Sequence, residues 1–330
     1  MGPGKLNLIT DVPGIRVGHA TDERAHSGVT TLVGDRPLAA GVDVRGGAPG
    51  VRETDTLAPD ALVGRAHAIV LAGGSVFGLG AADGVAAELS DAGVGLRLLA
   101  HTRAIPIVPA AVLHDLAGDG DKGWREPPYR ALGVDSVKVA SREFALGRVG
   151  AGRGARAGYV AGGIGSASLD LGGGLVVGAL VAVNSIGSVY LPDGRTPYAW
   201  PYEIDGEFGG ARPQDPAPLI DPAPPESRLA DMGRLEPGTS TVIGVVATSA
   251  ALTGAECRRL AIMAHDGIAR AVRPAHTPFD GDTIFAVASG TTALAELGVR
   301  AALVARLGSA AADCMARAIA RGVFEAARPR

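Results

Sequence analysis

The chain has 330 residues, of which 47% are hydrophobic, 20% charged and only 4% aromatic, with 49 glycines. That much apolar material excludes a disordered chain, and glycines without a three-residue period exclude collagen. The formal net charge of −3 provides no basic field, so neither nucleic acid nor an anionic membrane is an expected partner.

Met1–Thr10 has no cationic stretch followed by a long apolar run, so no secretory signal is expected. The first strong element is Ala66–Leu71 before Gly73-Gly74, a short apolar run with β-branched residues that suits a strand covered on both faces. Ala81–Leu89 follows as a short helix. Leu175–Val183 before Asn184, Thr241–Ala247, and Thr283–Ala288 before Ser289-Gly290 read as further buried strands. Glu256–Val272 has apolar residues at helical spacing, and Ser309–Ala326 places Ala312, Met315, Ile319 and Val323 on one face. Asp313, Arg317 and Arg321 form a separate polar stripe on that last helix. Strands and helices alternate, which points to a layered α/β domain. The longest apolar run, Gly174–Val183, is far below the ~20 residues of a membrane span, so the expectation is a soluble, cytoplasmic protein.

One segment breaks the rhythm. Glu203–Ser240 is rich in Pro, Asp and Gly and has neither period, which predicts an accessible linker running straight into the strand that opens with Thr241. Cys257 and Cys314 lie far apart with no paired spacing, against a disulfide framework or a zinc site. No cofactor or metal is implied.

The familiar catalytic motifs are absent. Gly73-Gly74-Ser75-Val76-Phe77 lacks the last glycine of a nucleophile elbow, and the seven histidines are scattered. Gly150-Ala151-Gly152-Arg153-Gly154-Ala155 matches the relaxed dinucleotide fingerprint, which leaves nucleotide binding as an alternative to a packing turn. Asp280 and Asp282 precede a buried strand, either as turn residues or as carboxylates aimed at a cation. Asn184 ends another strand, as a turn residue or as a hydrogen-bond donor. Thr241 has one route to nucleophilicity: as a first residue, its own α-amine serves as base. That amine titrates near 7.7–8.0 when unperturbed. Freeing it requires a cut between Ser240 and Thr241.

These residues coincide with a family pattern. Ile9–His19, Asp43–Gly50 with Arg52–Asp55, Gly73–Leu79, Gly150–Gly152, Val183-Asn184, Thr241–Thr248 and His265–Arg270 match in order, and Arg273–Thr283 is the most specific block. The chain resembles the self-processing aminopeptidases typified by L-aminopeptidase/D-esterase (DmpA), which include β-aminopeptidases and the nylon-oligomer hydrolase NylC. The resemblance implies an α-β-β-α sandwich similar to N-terminal-nucleophile hydrolases but differently connected. It implies one hydrolase domain over 1–330, cut into subunits of 1–240 and 241–330 that stay associated, and assembly into a homo-oligomer. The nucleophile maps to Thr241, the acidic pair to Asp280 and Asp282, and the active-site asparagine to Asn184. Two positions depart from the pattern: Ser240 precedes the cut instead of asparagine or glycine, and Tyr159 stands nearest to a family lysine. Asp115, Asp119 and Asp121 are equal candidates for an acidic residue that binds a substrate amine. The expected substrates are small amides, short peptides, β-peptides or amide oligomers.

Overall fold

The structure is a computed structural model that describes residues 1–99, 101–214, 220–231, 240–294 and 299–328. In chain order its strands and helices are β1 (Ile15–Asp22), β2 (Ser27–Val44), β3 (Val51–Arg52), β4 (Arg65–Ala72), α1 (Ala81–Asp91), β5 (Ala110–Val112), α2 (Tyr129–Lys138), β6 (Arg156–Ala157) and β7 (Val160–Ala161). Then come β8 (Ile164–Asp170), β9 (Val176–Asn184), β10 (Thr241–Ala250), α3 (Gly254–Ala271), β11 (Thr283–Thr292) and α4 (Arg300–Ala326). Apart from the β6–β7 ribbon, the strands form one hydrogen-bonded path, β3-β5-β4-β2-β11-β10-β9-β8, with β1 added to β2.

That path doubles back on itself at β2. The first part of β2 pairs with β1 and β4, Val33 and Leu38 flank an irregularity, and Ala39–Val44 pair with β11. Side-chain parity then gives the layers, because alternate residues of a strand face opposite ways. On β4, Ile69 and Leu71 enter the same core as Ile243, Val245 and Ala247 of β10 and Phe285 and Val287 of β11. On β4's other face, Ala68, Val70 and Ala72 pack with Ala81, Val85 and Tyr129 of α1 and α2. On β10's other face, Val242 and Val246 pack with Leu260, Ala264, Met315 and Ile319 of α3 and α4. Three cores therefore separate four layers, helix–sheet–sheet–helix, and the chain folds as the α-β-β-α sandwich expected of it.

Glycine and alanine bring these layers close together. A Cβ on Gly165 of β8 would lie 1.8 Å from the Ala318 carbonyl oxygen of α4. Substitution there would push the helix off the sheet. α3 opens with a capping box in which Thr253 and Glu256 bond each other's backbone, as a Thr-x-x-Glu sequence dictates. Cys257 and Cys314 are free, and burial pushes both thiols up to about 12. Among the described residues, no helix is long and apolar enough to cross a membrane.

The polar stripe of α4 is largely packed inside the fold. Arg317 is 1% exposed and donates from Nε and Nη2 to Glu207 at 2.5 and 2.9 Å and from Nη1 to Ser168 O at 2.8 Å. Arg270 pairs with Asp313, and Arg321 donates to the carbonyls of Asn7 and Ser166. One expectation needs correction: the start of the 203–240 segment is no free linker. Glu203 accepts from the backbone of Phe208 and Gly210, and Glu207 is the buried partner of Arg317. The rest of that expectation falls partly on 215–219 and 232–239, which lie outside the described residues.

Candidate active site

Four strand ends meet at one edge of the second sheet. β9 ends at Asn184 directly opposite Thr241, where β10 begins. β11, parallel to β10, begins at Thr283, which pairs with Val44 at the end of β2. Because Ile243 and Val245 face the core between the sheets, Thr241 faces the same way, at the place where that core opens. Its side chain lines a cleft of about 340 Å³ with Pro49, Val51, Val76, Leu79, Leu113 and His114.

The backbone around Thr241 is tightly fixed. Ser240 is fully buried and Thr241 is 2% exposed, so the peptide bond joining them is not the accessible linker end that the sequence predicts. The Ser240 carbonyl oxygen accepts two hydrogen bonds, from Thr241 Oγ1 at 2.5 Å and from Gly281 N at 2.9 Å. Only glycine fits at 281, since a Cβ would lie 2.8 Å from Thr241 Oγ1 and 2.9 Å from the Ala48 carbonyl oxygen.

Asp280 and Asp282 flank that glycine, each 1% exposed. Asp282 Oδ1 accepts from Val242 N at 2.8 Å, and Oδ2 accepts from His276 N at 3.1 Å and His276 Nδ1 at 2.7 Å. Asp280 Oδ2 accepts from Thr277 N at 2.7 Å. The described bonds of the pair thus run to the backbone beside Thr241 and to the preceding loop. Burial, reinforced by the neighbouring Asp282 charge, holds the Asp280 carboxyl above the usual carboxylate range. The loop 45–48 clamps this turn from the other side: Arg45 N and Ala48 N donate to the carbonyls of Asp282 and Asp280 at 2.9 and 2.8 Å. Two blocks singled out in the sequence, 43–50 and 273–283, are therefore docked on each other.

Asn184 is 2% exposed, and its amide has a defined orientation. Oδ1 accepts from Arg156 N at 2.9 Å, and Nδ2 donates to His114 O, beside the cleft, at 3.2 Å. Arg228 donates to the carbonyls of Asn184 and Ser185 at 3.2 and 2.8 Å. Burial, together with nearby Arg156, holds its guanidinium below its ordinary range. On the far side of the turn, His265 packs edge-on to His276 with ring centroids 4.9 Å apart, and burial lowers the His265 imidazole to about 4.

The remaining candidates lie elsewhere. Tyr159 is 46% exposed and lines a neighbouring cleft with His26, Asp119 and Arg156, apart from the Thr241 cleft. Asp115 is 3% exposed and accepts from Gly74 N at 2.8 Å, and Asp121 pairs with Arg24 at 2.5 Å. None of the three acidic candidates lines the Thr241 cleft. The Gly150–Gly154 turn is a packing device. Gly150 N and Ala151 N donate to Thr21 and Thr30 hydroxyls, Gly152 N and Arg153 N donate to backbone carbonyls, and a short 3-10 turn stands where a phosphate-binding helix would begin. These four amides are therefore turned inward and not presented to a phosphate.

Sequence reasoning assigned no place at the site to His276, His265, Arg156 or Arg228. For His276 and His265 a signal existed, since they fall inside the blocks 273–283 and 265–270; Gly281 is the turn glycine of the first block.

Comparison with known proteins gives the family and the fold. The sequence profile of Peptidase family S58 matches residues 7–329. The chain is 44% identical over 336 residues to an uncharacterized aminopeptidase of Mycobacterium tuberculosis, covering 97% of this chain and 94% of that one. It is 29% identical over 294 residues to the 6-aminohexanoate-oligomer endohydrolase of Paenarthrobacter ureafaciens, covering 86% and 75% of the two chains. Among solved structures, a β-aminopeptidase of a Burkholderia species superposes with a TM-score of 0.70 at 25% identity, over 98% of this chain and 88% of that one. The L-aminopeptidase D-Ala-esterase/amidase of Ochrobactrum anthropi, described as a variant of the Ntn-hydrolase fold, gives the same TM-score at 20% identity, over 99% and 88%. The chain belongs to Peptidase family S58 and is a hydrolase of amide or peptide bonds.

Proposed function

We propose that this hydrolase activates itself by cutting the Ser240–Thr241 bond and then uses Thr241 as its N-terminal nucleophile. The observation that carries the reading is the convergence of Thr241 Oγ1 and Gly281 N on the Ser240 carbonyl oxygen. The hydroxyl sits beside the carbonyl it would attack, and an N–H already points at the oxygen that would become negative. Burial of Ser240 favours attack from within over cleavage by a second protein.

In maturation, Oγ1 adds to the Ser240 carbonyl carbon, the C–N bond breaks, and the hydroxyl proton ends on the departing nitrogen. Water then hydrolyses the ester, leaving a Ser240 carboxylate, a free Thr241 hydroxyl and a new α-amine. In turnover, the same hydroxyl attacks a substrate amide while the α-amine takes its proton and returns it to the leaving group. Asn184 Nδ2 supports the developing oxyanion, a role worth roughly 3–4 kcal/mol. Asp280 and Asp282 hold the start of β10 and favour the ammonium form of Thr241. The apolar walls of the cleft suit small amides, short peptides, β-peptides or amide oligomers, in line with the names of the relatives. The mature enzyme is a complex of 1–240 with 241–330, further assembled as a homo-oligomer.

Mass spectrometry of the purified protein tests the reading. A fragment starting at Thr241 is expected, and Thr241→Ala is expected to stay intact and inactive. An active enzyme that remains one chain would overturn it.

A further inference from the structure

One half-buried group beside the site has no part in that chemistry. His276 adopts a left-handed backbone, φ +57°, and turns two donors on one carboxylate oxygen, its own N–H and its ring Nδ1. A carboxylate only accepts, so the hydrogen-bond network assigns the proton of this contact to Nδ1. The other oxygen of Asp282 holds Val242 N, the residue after Thr241. One carboxylate therefore bridges the imidazole of His276 and the first turn of backbone behind the nucleophile. Other groups enclose the ring: His265 of α3 packs edge-on, its Nε2 3.1 Å from the Asp43 carbonyl oxygen of β2, and the Asp43 side chain pairs with Arg45. Asp280 is the remaining charge beside it.

Resting on the reading of Thr241 as nucleophile, we propose that His276 is a positioning residue, which through Asp282 fixes the start of β10 and so the aim of Thr241 Oγ1. Asp282 is 1% exposed, so water is poorly placed to substitute for a lost donor. A carboxylate left on that side with only the longer backbone bond from residue 276, 3.1 Å, can swing away from Val242, and a displacement of about 1 Å at a nucleophile costs on the order of 100-fold in rate.

A purely structural role, supplying a left-handed residue to the turn, makes a different prediction, and two near-isosteres separate the cases. Asparagine and aspartate both adopt the left-handed region readily. Both also place a γ-substituent where Nδ1 stands, but only asparagine can donate a hydrogen bond there. With alanine p-nitroanilide as probe, His276→Asn is expected to keep kcat within about 3-fold of wild type. His276→Asp is expected to lose ~100-fold in kcat with KM within about 2-fold. Equal kcat for the two variants, or a loss confined to KM, overturns the proposal. If near-UV circular dichroism shows His276→Asp to be unfolded, His276→Ala carries the same test. It has no donor and adds no charge, and kcat within 3-fold of His276→Asn would overturn the proposal. Wild-type protein is weighed first: an active chain with no new terminus at Thr241 sinks the nucleophile reading. A processed wild type with equal Asn and Asp variants sinks only the role of His276.

Discussion

Two glycine-bearing turns, Gly150–Gly154 and Asp280–Asp282, pose the same steric problem and serve different ends. In each, a Cβ would strike a neighbour: the Ile164 N atom at 2.4 Å from Gly152, and Thr241 Oγ1 at 2.8 Å from Gly281. The difference lies in what the amides reach. Around Gly150 they reach threonine hydroxyls and local carbonyls, and the turn serves to dock one segment on β1 and β2. At Gly281 the amide reaches Ser240 O, the carbonyl that carries the proposed cut. Glycine reports a close approach, and the acceptor reports whether the approach bears on chemistry.

Substitution can break that contrast. Gly281→Ala is expected to have the largest effect, slowing the appearance of the 241–330 fragment by ~100-fold or more, because the new methyl displaces Thr241 Oγ1. A gel time course measures it, and processing at the wild-type rate would remove Gly281 from the site. Gly152→Ala comes next. It is expected to lower stability by about 2–3 kcal/mol in urea melts while leaving kcat per processed molecule unchanged. A loss of kcat there would bring the turn into the site.

The smallest effect sharpens the electrostatics of the 280–282 turn. Asp280 has a raised folded value, so between the ordinary 3.8 and that value the folded chain holds a proton that the unfolded chain has released. Its contribution is therefore lost as pH rises through that window. His265, lowered from 6.5 to about 4, works the opposite way, and its contribution is lost as pH falls. Asp280→Asn should remove the first slope and leave the second. Urea melts across the window, wild type minus variant, would show it, and identical profiles would refute the assignment.

Much of the scaffold was legible because its signals are local. The runs at 66–71, 175–183, 241–247 and 283–288 are all strands, and the helical periods at 81–89, 256–272 and 309–326 are all helices, the last extended backward to Arg300. β2 was not legible. Its middle, Gly34-Asp35-Arg36-Pro37, has turn composition, yet the strand runs on through it and changes sheet. The burial of Arg317 was not legible for a related reason. Periodicity records that a residue is polar but not that Glu207, far away in sequence, waits to bury it. At the site, Thr241, Asn184, Asp280 and Asp282 stood out from their places at strand ends, the family resemblance chose the functional reading over the turn reading, and the structure brings all four to one sheet edge. Gly281 was marked by the block 273–283 as a turn glycine, but the part of His276 depends on a bridging carboxylate, which residue patterns do not encode.

The strand order has one more consequence. β10 lies between β9 and β11, and β11 lies between β10 and β2. A chain opened before Thr241 would leave the fragment 241–330 as a two-strand wedge held on both flanks by the other fragment. Neither fragment would have a finished sheet alone: each would show bare strand edges, the template on which chains aggregate. Synthesis as one chain then amounts to threading the wedge before the thread is cut. Mixing separately made halves is expected to give precipitate rather than enzyme.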